Sequence, residues 1–258
     1  MLRSLLLIPA CLTFVVLLGC PAEAVELQDV VAAVEAPFQA ETEAGKRIND
    51  YRADFVQESH IISLNRLQQV AGMVVVRFEA TGSPEPKTLF RWEYQPPAQQ
   101  QIVSDGETVW VYLPENNQVI KTEAAKLLQP GESNPTTFLT GLGNLARDFE
   151  IHWAEPQRNA AGDYRLELLP RQKNPLISRL YLVIDQAAVE AFLQPAEGST
   201  APPLFPVLSA TVADMNNNRS ILTFANVVVN IDPSPASFQF FVPEGVDVVD
   251  SLDTAAGF

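Results

Sequence analysis

Thiols are almost missing from this sequence. Of 258 residues only Cys11 and Cys20 are cysteine, and both lie in the first twenty. If that leader is removed, the rest can hold no disulfide, no Cys-rich zinc site and no cysteine nucleophile. Histidine is as scarce: His60 and His152 stand far apart, without the spacing of a zinc-binding helix, so no metal site is expected. Basic residues are few, 17 Lys and Arg against 31 Asp and Glu, for a formal charge of −14. Such a chain repels phosphate backbones, which argues against nucleic acid as a partner, and as a whole it gains nothing from anionic headgroups. Beyond residue 24 no apolar run is long enough to span a bilayer. Any dealings with lipid must therefore go through apolar side chains.

What is present begins with that leader. Arg3, an apolar stretch from Leu5 to Leu18 broken by Pro9, and then small residues have the layout of a secretory signal peptide. LLGCPAEAVE (17–26) offers two cuts. Cleavage before Cys20, behind a passable Leu-Leu-Gly-Cys lipobox, would leave a lipid-anchored protein. Cleavage after Ala24 would leave a soluble exported chain that starts at Val25. Arg3 and Glu23 cancel, so residues 25–258 keep the charge of −14, and they are numerous enough for one largish domain. An exported chain without cysteine suits a bacterial periplasm.

Along the chain, residues 27–58 read as helical, with Leu27, Val30, Val31, Val34 and Phe38 at helical spacing, continued by Ile48, Tyr51, Arg52 and Phe55. Pro37 and Gly45 predict a kink or two helices. From Ala71 the period changes to strands: MVVVRF (73–78), a loop TGSPEP (81–86), then TLFRWEY (88–94). In the last, Phe90, Trp92 and Tyr94 share one face and Leu89, Arg91 and Glu93 the other. QQQIVSDGETVWVYL (99–113) holds two strands about an Asp105-Gly106 turn, with Trp110 and Tyr112 on one face. A short helix is expected near 124–128. NPTTFLTGLGNLARDF (134–149) reads as a Pro-started helix striped by Phe138, Leu139, Leu142 and Leu145. Six further strands follow, from FEIHWAE to SFQFFVP, with a Pro-rich loop at 193–206. The sum is a large, mostly antiparallel sheet or barrel whose apolar face needs a helical cover.

Catalytic motifs fail on context. GLGNLA (141–146) matches a dinucleotide fingerprint but follows no strand. Ser104 precedes Asp105 beside a turn and not in a G-x-S-x-G elbow. The carboxylates are scattered, so a secreted β-rich hydrolase has no positive signal, and neither an enzyme nor a cofactor is expected.

The order of the strands carries more. LFRWEYQPPAQQQIVSDGETVWVYLPENNQV (89–119) resembles the hallmark of the periplasmic lipoprotein carriers, the LolA family: an F-x-W-x-Y strand, a Pro, a V-S-D-G hairpin and a W-x-Y strand in succession. INDYRADFVQES (48–59) resembles the end of that family's first helix, with Ala53, Phe55 and Gln57 as its core. NPTTFLTGLGNL resembles the lid segment, and FQFFVPEGVDVV (238–249) the closing strand.

The resemblance implies a mainly β fold with some α: an unclosed antiparallel β-barrel, or half-barrel, with a helical lid over an apolar cavity. It spans residues 25–258 as a single domain after a signal peptide of residues 1–24. It implies a carrier that accepts triacylated lipoproteins from an inner-membrane ABC transporter and ferries them to the outer membrane, to a receptor there if one exists. The carrier would be a monomer without cofactor or metal. Physically, a sixteen-carbon chain costs about 12 kcal/mol to expose, at roughly 0.8 kcal/mol per CH₂. A soluble carrier must replace the bilayer with an apolar wall. Phe90, Trp92, Tyr94, Trp110 and Tyr112, with Phe138, Leu139 and Leu142 of the lid, are the expected wall. The resemblance also implies an arginine latch that bonds lid backbone near Leu139 and Thr140. Arg77 is the nearest candidate, Arg91 the second. The match to soluble carriers favours cleavage after Ala24. A receptor or lipid-sensing regulator of the same fold, lipidated at Cys20, is the alternative.

Overall fold

A computed structural model describes residues 25–79, 87–127, 137–174, 176–196 and 201–250, with the backbone course alone at 127 and 137–140. One sheet of twelve strands dominates it. A meander of β1 (Asp50–Ile61), β2 (Arg66–Glu79), β3 (Lys87–Tyr94), β4 (Gln101–Ser104), β5 (Thr108–Leu113) and β6 (Gln118–Glu123) makes one arm. A second meander, β7 (Phe149–Arg158), β8 (Tyr164–Pro170), β9 (Arg179–Ile184), β10 (Val207–Ala213) and β11 (Arg219–Val229), makes the other. The arms join where β1 pairs antiparallel with β11. A three-residue strand, β12 (Asp247–Val249), adds to β6 in parallel and is the one non-antiparallel neighbour. The order runs β12-β6-β5-β4-β3-β2-β1-β11-β10-β9-β8-β7, and the ends do not meet. The barrel is unclosed, as expected.

Helices are short. α1 (Leu27–Glu35) stops at a 3-10 turn over Ala36–Phe38, and α2 (Ala124–Leu127) follows β6. A 3-10 stretch at Thr137–Asn144 leads into α3 (Leu145–Asp148), and α4 (Gln186–Leu193) follows β9. Two expectations are corrected here. Residues 50–58 are strand, because Tyr51, Ala53, Phe55 and Gln57 are buried while Arg52, Asp54 and Val56 are exposed. An i,i+4 pair such as Tyr51 and Phe55 satisfies both periods, and pairing with β2 and β11 settles it as strand. The lid segment is not one helix: backbone at Gly141 leaves the helical region (φ −110°, ψ 16°), as glycine's low helix propensity allows.

The face that α1 covers is inner. Val30, Ala33 and Val34 of α1, Phe38, Leu142, Leu145 and Val189 of α4 join Phe55, Val74, Val76, Phe90, Trp92, Ile102, Val109, Val111, Leu166, Leu182 and Phe224 of the strands in one buried core. Gly72 is required by this packing: a Cβ there would lie 2.6 Å from Cζ of Phe55, whose ring crosses from β1 above it. Gly106 sits at φ +83° in the turn between β4 and β5, where Ser104 Oγ accepts its N–H at 3.0 Å.

The outer face has a cover of its own. Residues 230–246 run across it, so the expected strand SFQFFVP is instead a 3-10 turn (Pro235–Phe238) followed by chain outside the sheet. Phe238 is buried against Val75, Leu89 and Met73. Arg91 donates through Nε to Ser237 O at 2.8 Å and through NH2 to Gln239 O at 3.2 Å.

Candidate functional site

Sheet register assigns each aromatic to a face. Trp92 pairs with Val74 and Ile102, Ile102 with Val111, and Val111 with Ile120, so these share the inner face. Phe55 stands at their centre, its ring 4.9 Å from Trp92 and 5.1 Å from Tyr94, both edge-on. The Tyr94 hydroxyl donates to Gln57 Oε1 at 2.9 Å, and Gln57 Nε2 donates to Ser220 Oγ at 3.1 Å. The one polar cluster in this wall is thus satisfied, and burial holds the Tyr94 phenol above its usual pKa.

Arg91 pairs with Val103 and Val103 with Trp110, which puts Trp110 on the outer face, with Tyr112 two residues on. Phe240 of the C-terminal segment covers both, at 6.1 and 6.2 Å between ring centroids. This corrects the expected wall: alternation groups Trp110 with Tyr112 but does not say which side they take. The inner positions of β5 belong to Val109 and Val111.

At the N-terminal end of β1 the wall is capped by aromatic rings from outside the sheet. Phe38 meets Phe78 at 5.6 Å and Phe205 at 6.1 Å, and Phe205 lies 4.7 Å from Tyr51. Tyr51 is fully buried, and its hydroxyl is the one buried side-chain polar atom without a partner among the described residues. Burial drives its pKa far up.

The lid segment rests on Phe38. A Cβ on Gly143 would lie 3.3 Å from Phe38 Cβ, and Gln39 Nε2 donates to Gly143 O at 3.3 Å. Glu35, at the C-terminal end of α1, accepts the Ala146 N–H at 2.7 Å. Burial raises its carboxyl above the usual carboxylate range, against the pull of the Ala146 and Leu145 N–H groups, and Asp148 adds to the rise. Leu142 is buried; Phe138 and Leu139, with Thr140, lie outside the residues whose side chains are described.

Among the described residues, Arg77 makes no bond to the lid. It pairs with Leu89 on the outer face, and its NH1 donates to Pro233 O at 2.8 Å and Asp232 Oδ1 at 3.2 Å. The expected latch is corrected accordingly: in this structure both Arg77 and Arg91 hold the C-terminal segment, because odd positions of β2 and β3 face outward. The polar ties from the α1 arm to the lid come from Glu35 and Gln39 instead.

Between α1 and β7, the free edge of the sheet, runs a groove of about 520 Å³. Leu27, Val31, Phe149 and Ile151 give it apolar walls, and Glu26, Gln28, Glu35 and Arg171 line it as polar residues.

The family model described as outer membrane lipoprotein carrier protein LolA matches residues 46–192, more than half of the chain. The chain belongs to this family. Its LolA relatives include the outer-membrane lipoprotein carrier protein of Alkalilimnicola ehrlichii, 28% identical over 206 residues, with 79% of each chain covered. That of Azotobacter vinelandii is 28% identical over 216 residues, covering 83% of this chain and 88% of the relative. A solved LolA superfamily structure from Nitrosomonas europaea overlaps 84% of this chain and 99% of its own, at 12% identity and a TM-score of 0.39, too low to carry an argument.

Set against the LolA expectation, Phe90, Trp92 and Tyr94 share one inner wall, whereas Trp110, Tyr112 and Arg77 do not join it. Phe38, Tyr51 and Phe205 were missed as wall residues. Phe205 is next to last in the Pro-rich stretch 193–206, where polar and proline composition hid a buried aromatic ring.

Proposed function

We propose that this chain is a periplasmic carrier that shields lipoprotein acyl chains on its inner face and ferries them from the inner to the outer membrane. The observation that supports this most is the inner wall with its cover. The wall is a continuous apolar surface, and α1, Phe38 and the lid lie over it without belonging to the sheet. Among the described residues, their polar ties to one another include the bonds from Glu35 and Gln39. Displacing that cover would expose a surface of bilayer character while the sheet's hydrogen bonds stay intact. The cargo would be a triacylated lipoprotein taken from an inner-membrane ABC transporter, and the acceptor an outer-membrane receptor. Residues 25–258 would act as a single domain, soluble after cleavage behind Ala24.

Two measurements test this. A fluorescent apolar probe should bind the purified protein and be displaced by a triacylated lipoprotein but not by its unacylated form; indifference to acyl chains would sink the carrier reading. Intact mass of the exported protein should correspond to a chain beginning at Val25. A diacylglyceryl group on Cys20 would instead make it the anchored receptor or lipid-sensing form that the Leu17–Cys20 lipobox permits.

A further inference from the structure

We propose that three adjoining turns at one end of the sheet form a docking crest for an anionic bilayer. They are the turns between β1 and β2, between β8 and β9 and between β10 and β11. Backbone and side-chain bonds hold them side by side. The Ile62 N–H donates to Asn218 Oδ1 at 2.9 Å, the Ser178 N–H to Ala213 O at 2.8 Å, and Ser178 Oγ to Asp214 O at 2.8 Å. Ile62, Leu64, Leu67 and Met215 on these turns are 59%, 66%, 61% and 70% exposed, and Leu176 is 44% exposed. Single exposed aliphatics are ordinary, but five on contiguous tips form the kind of patch that marks an interaction site. The crest also protrudes. β2 runs from Arg66 to Ala71 beyond its last pair with β3, Gly72–Tyr94, which adds about 20 Å of reach.

Charge selects the occupant. The three turns and the strand residues that open from them carry Arg66, Arg171, Lys173 and Arg219 but one acid, Asp214, whose Oδ1 is engaged by the N–H groups of Asn216 and Asn218 at 2.7 and 2.9 Å. Glu58 lies behind them on β1, where it accepts from Gln69 Nε2 at 3.2 Å. Among the described residues no carboxylate forms an ion pair with Arg66, Lys173 or Arg219. Turns at the opposite end carry Asp105, Glu107, Asp163 and Asp185. A chain of formal charge −14 therefore carries a basic surplus on these three turns, although Glu115 and Asp148 stand at the same end of the sheet, and that local surplus would face anionic headgroups. A protein partner fits less well, because the crest lacks the Trp or Tyr that anchor such interfaces. A second copy would set basic tip against basic tip. A few aliphatic tips give reversible attachment, which suits a molecule that must leave again. Arg171 belongs both to this crest and to the lining of the groove between α1 and β7, so docking would bring that part of the groove towards the membrane. The crest stands on its own observations and does not require the inner face to take acyl chains.

Flotation with protein-free vesicles tests the proposal on chain purified without detergent. Vesicles of phosphatidylethanolamine and phosphatidylglycerol should carry the protein at low salt. Leu64→Asp with Met215→Asp should lower that partition about tenfold or more, and Arg66→Glu with Arg219→Glu should abolish the preference over phosphatidylcholine vesicles. Thermal melts and apolar-probe binding should stay at the parent's level, since these side chains lie outside the core. Ile62→Ser with Leu67→Ser replaces any variant that lowers the melt. Failure of the parent to float, or variants that float like it, overturns the proposal. So does crest-dependent dimerisation in sedimentation, or binding that requires a membrane protein. Parent protein that floats but ignores the apolar probe would sink the carrier reading and leave the crest standing.

Discussion

Tyr51 and Glu35 are polar groups placed where an apolar wall meets its cover. The Tyr51 hydroxyl has no partner although the side chain is fully buried, and such a group costs about 1–3 kcal/mol. Tyr51→Phe keeps the ring against Phe205 and removes that cost, so stability in urea unfolding should rise by about 1 kcal/mol. No gain would mean that the hydroxyl finds a partner in solution. Glu35 behaves in the opposite sense to an ordinary ion-paired carboxylate. Its pKa is raised in the fold, so its contribution to stability is fully present below its unfolded value and is lost as pH rises through the folded value. The dipole of α1 adds to the penalty on a charge at that end. Glu35→Gln keeps an acceptor for Ala146 and removes the charge. Its melting temperature should exceed the parent's at pH 7, and the gap should close towards pH 4. A constant gap across that range would separate Glu35 from the effect.

Among the elements, the lid and the α1 arm meet through Gly143 on Phe38, with a prospective Cβ–Cβ distance of 3.3 Å, close to disulfide geometry. Phe38→Cys with Gly143→Cys, in a background where Cys11 and Cys20 are Ser, should oxidise readily. The bridged form should lose apolar-probe binding, and reductant should restore it. Undiminished binding by the bridged protein would show that cargo enters without parting these two segments. Many strands and turns were legible from local pattern alone, though not β6, and SFQFFVP is not a strand. The Asp105-Gly106 hairpin, the alternation of TLFRWEY and the second meander all stand where their residues predict. β1 was not legible, since apolar residues four apart serve helix and strand alike. α4 was missed as well, although Asp185 caps it by accepting the Ala187 N–H at 2.9 Å.

At the scale of the molecule, the arm that holds β2 to β5 is covered on both faces, while the outer face of β1 and β11 is exposed, and this governs what the sequence could reveal. With one face wet, aromatic positions would mark the interior. Here α1 and the lid cover one side and residues 230–246 the other, so aromatic stripes occur on both. Alternation determined that Phe90, Trp92 and Tyr94 stand together and that Trp110 stands with Tyr112. The ordered motifs determined the family and an unclosed β architecture. Only the register across β2, β3, β4 and β5 decided that the two groups face opposite ways, and only the path of the C-terminal segment decided what Arg77 and Arg91 hold. The cause is physical: a strand's period of two fixes relative facing within itself, while absolute facing depends on contacts between residues distant in sequence. The same holds for the crest, where Ile62, Leu64, Leu67, Leu176 and Met215 look like any scattered aliphatics until three turns are brought to one end.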